Sequence, residues 1–185
     1  SEQKQGLYKG DQIWIDFGEH CTGYFSFDVE TLTLPDAPTR LHIKFAETLL
    51  ELGRPFSECK SGMNHAWLQE ETVTLDEPGS VSLPRRYAFR YVCITVKNTN
   101  REINLNNIKV TAYTSADYSK LKPGPADARL AQLDKIGVTT LAECMQRGLE
   151  DGPKRDRRMW IGDIRIQSLV NYETFDNLDI IFKKT

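Results

Sequence analysis

Tyr24-Phe25-Ser26-Phe27-Asp28-Val29 alternates apolar and polar side chains, and that period of two decides the fold class. Successive side chains of a strand point to opposite faces, so such a run buries one face and wets the other. Ile13-Trp14-Ile15-Asp16-Phe17 precedes it with the same pattern. Arg40-Leu41-His42-Ile43-Lys44-Phe45, Thr72-Val73-Thr74-Leu75, Tyr87 to Val96 and Ile108-Lys109-Val110-Thr111-Ala112-Tyr113 repeat it. These runs are short and rich in β-branched and aromatic residues. Turn formers separate them: Asp16 and Gly18, Pro35-Asp36-Ala37-Pro38, Glu77-Pro78-Gly79-Ser80, and Asn98-Thr99-Asn100. Many short strands with turns between them predict a mainly β fold, a β-sandwich or jelly roll over residues 1–113.

The period then changes. Ser115 to Pro125 reads as a connector, because Lys122-Pro123-Gly124-Pro125 continues neither a central strand nor a helix. We take residues 114–126 as the linker and 127–185 as a helical hairpin. Asp127 is placed to cap its first helix. Leu130, Leu133, Ile136, Leu141, Cys144 and Met145 recur at helical spacing and give one apolar face. A polar, glycine-bearing loop follows from about Gln146 to Gly162. Asp163 is expected to cap a second helix, whose apolar residues include Ile166, Leu169, Val170, Phe175 and Leu178. Two helices enclose no core alone, so these faces must rest on the β layer, on another copy, or on further helices.

Composition excludes several function classes. Of the 185 residues, 39% are hydrophobic and 27% charged, an ordinary globular balance rather than a disordered one. A net charge of −2 gives no global pull toward nucleic acid or anionic lipid. No apolar run approaches the roughly 20 residues of a membrane helix. Neither nucleic acid nor membrane is expected as a partner. The opening Ser1-Glu2-Gln3-Lys4-Gln5 lacks an initiator Met and the apolar core of a signal peptide, which leaves the compartment open between periplasm and cytoplasm. Cys21, Cys59, Cys93 and Cys144 form no C-x-x-C pair, and His20, His42 and His65 are dispersed. No metal and no cofactor are expected. Cys93, inside Tyr91-Val92-Cys93-Ile94, reads as a buried free thiol.

The chemistry concentrates in the loop between the helices, Glu150-Asp151-Gly152-Pro153-Lys154-Arg155-Asp156-Arg157-Arg158-Met159-Trp160-Ile161-Gly162-Asp163. Carboxylates accept hydrogen bonds from vicinal hydroxyls, guanidinium groups donate to sugar oxygens, and an indole covers the apolar side of a sugar ring. Hydrolysis of a glycosidic bond needs one carboxyl as proton donor and another to activate water or attack. The loop also fits a solvated basic turn whose arginines pair with its own aspartates. Trp160 fits a packing anchor, and Asp163 a simple helix cap. Asp16 and Glu47 fit strand and turn ordering, and His42 a structural role.

Asp151 to Asp163 resembles the acidic signature of the family 78 α-L-rhamnosidases, D-C-P-Q-R-(D)-E-R-(L)-G-W-T-G-D. Ile15-Asp16-Phe17-Gly18 with Thr22-Gly23-Tyr24 resembles that family's D-F-G-x-x-x-x-G-W, Phe45-Ala46-Glu47 its H-A-E, and Ala88-Phe89-Arg90-Tyr91-Val92 its G-F-R-Y-V. The resemblance implies a bacterial six-hairpin glycosidase, with β domains preceding an (α/α)6 catalytic barrel. It would remove terminal α-L-rhamnose by inversion, with rhamnose-containing glycans or glycosides as its substrates.

Position by position, the resemblance places Asp151 and Asp163 on sugar hydroxyls and matches Arg155 and Trp160 to the motif's arginine and tryptophan. Asp156 falls at or beside the general acid. The family carries Glu there, and a one-residue gap decides between Asp156 and Arg157. Arg155, Arg157 and Arg158 would favour the ionised form of a carboxyl they faced, whereas Asp151 or Asp163 would oppose that. The family's general base lies far downstream. The 185 residues are therefore expected to be an inactive fragment that needs the rest of the barrel, and to self-associate through exposed helices. A non-catalytic carbohydrate-binding or structural β-sandwich module is the alternative.

Overall fold

The computed structural model describes residues 6–31, 36–58, 60 and 65–182. Pro35 and Cys59, both named above, lie outside the described residues, as do Ser1 to Gln5. Two compact units divide the chain, residues 1–112 and 113–185.

Among the described residues, the first unit contains strands β1 (Gln12–Thr31), β2 (Thr39–Ala46), β3 (Gln69–Leu75), β4 (Gly79–Asn98) and β5 (Ile103–Ala112), with one short α-helix, α1 (Leu49–Leu52), and two 3-10 turns. All five strands pair antiparallel in a single sheet of order β3-β2-β4-β1-β5. The mainly β expectation holds, and the arrangement is consistent with a β-sandwich. Ser26 pairs with Ser82, while Phe45 pairs with Val92, ten positions further along β4 (92 − 82). A straight strand would separate those positions by roughly 30 Å. Yet the rings of Phe25 and Phe45 lie 5.2 Å apart, so the sheet bends back and closes its apolar face on itself.

The bend has local causes. The β1–β4 register shifts between Asp16 and Cys21 and again between Tyr24 and Ser26, and such irregularities increase twist and curvature. Pro84 falls opposite the second shift, where β4 pairs with β1 alone and loses little by lacking an N–H. Gly23 is required by close approach, since a Cβ there would meet the Thr111 carbonyl oxygen at 2.2 Å.

The turn expected at Asp16–Gly18 is instead an irregular stretch within one continuous 20-residue strand. Its conformation still needs the glycine, with φ at +84° and the Gly18 amide donating to Asp16 Oδ1 at 2.8 Å. Phe25, Phe45, Tyr87 and Phe89 are fully buried inside the fold, and Phe45 stacks on Tyr87 at 4.1 Å between centroids. Each such side chain contributes about 1.5–3 kcal/mol by leaving water.

The second unit carries helices α2 (Ala128–Cys144), α3 (Ile161–Glu173) and α4 (Leu178–Phe182). Asp127 caps α2 as expected, accepting from the amides of Arg129 and Leu130 at 3.0 Å each. The second cap differs from expectation. Trp160 holds that position without a side-chain hydrogen bond, and Asp163 lies in the first turn of α3. There it complements the helix dipole rather than closing the helix end.

Nor does α3 run on to Leu178. The buried Asn171 side chain bonds both the amide and the carbonyl of Asn177, turning the chain so that Phe175 packs inward before α4 begins. Val138, Leu141, Ala142, Met145, Leu149, Phe175 and Ile180 form this unit's core. Leu130, Leu133 and Ile136 on α2, and Ile166 and Leu169 on α3, are each more than half exposed. Among the described residues, Cys21, Cys93 and Cys144 are free thiols, and no helix is long and apolar enough to cross a membrane.

Candidate functional site

The loop from Met145 to Trp160 is tied down at its base before it presents any side chain. Met145 and Leu149 bridge, and the Glu150 amide donates to the Cys144 carbonyl at 2.9 Å. Gln167 of α3 donates to the Glu150 carbonyl at 2.7 Å, which fixes where the acidic run starts. Buried Gln146 spans the Tyr113 and Glu143 carbonyls at 2.8 and 2.9 Å. Buried polar groups need such partners, so these bonds fix the loop's base in place.

Asp151 is the organiser of the next turn. Its Oδ1 accepts the amides of Gly152 and Arg158 at 3.0 and 2.9 Å, and its Oδ2 accepts the Asp156 amide at 3.3 Å. The Asp151 amide donates back to the Arg158 carbonyl at 2.9 Å. One carboxylate therefore gathers residues 152, 156 and 158 around itself. Oδ2 carries one long contact, so it keeps lone-pair capacity for a hydroxyl. A Cβ on Gly152 would meet the Arg155 carbonyl oxygen at 2.5 Å, and only glycine permits that turn.

Arg157 adopts φ +60° and donates through Nε to the Pro153 carbonyl at 2.8 Å. That contact ties its guanidinium to the backbone of its own loop. Asp156 is half-buried, while Arg155, Trp160 and Asp163 are exposed.

The sequence-predicted residues thus come together unequally. Asp151 and Asp156 are joined through a carboxylate–amide bond. Asp151 and Asp163 both act on Cys144, whose thiol is pushed up to about 11, first by burial and then by the charges of Glu150, Glu143, Asp151 and Asp163. Arg155 and Trp160 stand out to solvent along the same loop. Cys144, Gln146, Glu150 and Gln167 were not singled out by sequence reasoning. Gln167 carried a readable signal, since it follows Asp163 by four residues and so shares its helix face.

The β-unit fragments also meet one another. Asp16 takes a two-pronged contact from Arg90 at 2.8 and 2.9 Å, joining the D-F-G-like and F-R-Y-V-like runs. That pairing, with the Gly18 amide, holds the Asp16 carboxyl down to about 2. Phe17 and Phe89 from the same runs touch edge to face at 5.4 Å, and Phe45 reaches Phe89 at 4.9 Å. Glu47 stands 3.5 Å from His20, and His42 pairs with Glu70 at 3.1 Å. Asp16 and Phe89 thus flank the first β1–β4 register shift. No cluster of three or more His, Cys, Asp or Glu fit for a metal occurs among the described residues.

Comparison with known proteins gives three findings. Residues 1–112 match the family model described as the glycosyl hydrolase family 78 alpha-rhamnosidase N-terminal domain. A solved rhamnosidase from Klebsiella oxytoca with rhamnose bound is similar at TM-score 0.90 and 42% identity, over 95% of this chain and 35% of that one. A family 78 rhamnosidase of Bacillus sp. GL1 is similar at TM-score 0.77 and 24% identity, over 97% of this chain and 18% of that one, a likeness of fold. The chain spans about a third or less of the length of either solved structure. No curated protein matches it.

Proposed function

The chain belongs to glycosyl hydrolase family 78, and from that premise we propose that it forms the β unit and the opening of the helical catalytic domain of an α-L-rhamnosidase. The observation that carries this reading is the likeness to a rhamnosidase with rhamnose bound. It extends over 95% of the chain, more than residues 1–112 account for. Further helices of the parent, completing an (α/α)6 barrel, would cover the apolar faces left open on α2 and α3.

In this reading residues 1–113 are the β domain, 114–126 the linker, and 127–185 the first helical hairpin. Loop 151–163 is one wall of the sugar pocket. Asp156 protonates the glycosidic oxygen as the aglycone leaves, while a general base elsewhere in the parent activates water on the opposite face of the ring. Asp151 and Asp163 accept from sugar hydroxyls, Arg155 donates to sugar oxygens, and Trp160 covers the ring's apolar side. Tying Arg157 to the Pro153 carbonyl supports Asp156, not its neighbour, as the acid. The substrates are rhamnose-terminated glycans or glycosides.

The test is Asp156→Asn in the complete enzyme. Turnover is expected to fall on the order of a thousandfold with little change in rhamnoside affinity. Loss should be greater for an alkyl rhamnoside than for a nitrophenyl one, whose leaving group needs less protonation. Equal rates for variant and parent on the alkyl substrate would refute the assignment. The 185-residue chain by itself is expected to hydrolyse neither.

A further inference from the structure

On the side of the sheet away from the aromatic core, β1, β2 and β4 present a different set of residues. Gln12, Trp14, His42, Lys44, Thr95 and Lys97 alternate with the core positions Ile13, Ile15, Leu41, Ile43, Ile94 and Val96. Together with residues 52–57 they line a groove of about 450 Å³. That volume lies within the range of small-ligand sites.

The groove's wall is fixed. Lys44 Nζ donates to the Leu52 and Arg54 carbonyls at 3.0 and 2.7 Å and sits 4.3 Å from the centre of the Phe56 ring. Trp14 is half exposed, yet its indole is oriented, donating from Nε1 to Gln12 Oε1 at 3.3 Å. Gln12 is braced in turn by Thr95 at 3.2 Å. A half-exposed, oriented indole on a polar sheet face suits stacking by a ring with an apolar side.

The fixed charges are one-sided. Lys44, Arg54 and Lys97 give +3 against −1 from Glu70, a local +2 on a chain whose net charge is −2. We propose that this groove is a second saccharide site, separate from loop 151–163, for a uronic acid unit. The sugar ring lies on Trp14, hydroxyls bond to Gln12, Thr95 and His42, and the carboxylate lies among the cations, chiefly Lys97 and Arg54. The proposal rests on the glycosidase reading only for the choice of a saccharide over another anion-bearing ring.

The experiment titrates the complete 185-residue chain with trigalacturonic acid, using maltotriose as the neutral control and AMP as the competing ring-bearing anion, followed by calorimetry. Binding to trigalacturonic acid is expected, weakening with salt and falling at least tenfold in Trp14→Ala. Lys97→Gln should weaken it several-fold and flatten its salt dependence, whereas Trp160→Ala, which removes the ring-covering indole proposed for loop 151–163, should leave it unchanged. Circular dichroism checks that each variant is folded. No binding, equal binding of maltotriose, preference for AMP, or full binding by a folded Trp14→Ala would each overturn the proposal. Loss of binding in a folded Trp160→Ala would place the sugar in the other site and overturn it too. The reading of Asp156 as the acid is untouched by these outcomes, because it is judged by turnover in the complete enzyme.

Discussion

Cys144 shows how one buried atom reports on the charges around it. Its thiol is held up to about 11, against an ordinary 9, by burial and by four nearby carboxylates. A raised value means that the folded state keeps the proton longer than the unfolded chain does. The stabilisation is therefore complete below pH 9 and lost as pH rises through 11. Urea denaturation of the helical unit should show a decline of up to about 3 kcal/mol across that window. Cys144→Ala should remove most of that alkaline decline, and an unchanged decline in the variant would refute the assignment. Asp16 has the opposite sign, its contribution being present above its unfolded value and lost as pH falls through about 2. Much at this scale was legible in the sequence, including the clustered acids and the Asp127 cap. The role of Asp151 as an amide-gathering staple was not, because backbone donors from three positions are invisible in a pattern of side chains.

Helix α2 begins where its sequence announces it, since an aspartate follows a proline-rich connector and its side chain has two amides to accept. Asp127→Ala should cost about 1 kcal/mol, read as a lower urea midpoint for the helical signal at 222 nm. An unshifted midpoint would mean that the connector, rather than the cap, sets the helix end. Helix α3 was harder to place. Asp163 has the residue type of a cap and its acidity suits a first turn, so sequence alone does not separate the two positions. The strands divide likewise. Their alternation was readable, but the fusion of the runs around Gly18 into one strand depends on a register shift. Such shifts arise from pairing with β4, far along the chain.

Across the whole molecule, apolar surface is distributed unevenly. The β unit encloses Phe25, Phe45, Tyr87 and Phe89, while Leu133 at 66%, Ile166 at 67% and Phe182 at 73% exposure leave the helices wet. Exposed apolar patches of this kind favour association. Light scattering should therefore show concentration-dependent self-association of the 185-residue chain, relieved by Leu133→Lys with Ile166→Lys. A monodisperse monomer across a wide concentration range would count against it. The fold class was legible because period-two alternation survives any topology. The single bent sheet was not, because curvature is set by which strands pair along how much of their length.

That pairing has a further outcome. Since β1 and β4 each run through both ends of the sheet, the end built on β2 and β3 and the end built on β5 share them, and neither can open without disturbing strands the other needs. Amide protons at Phe45 and at Val110, at opposite ends of the pairing pattern, should exchange with solvent through the same rare opening event.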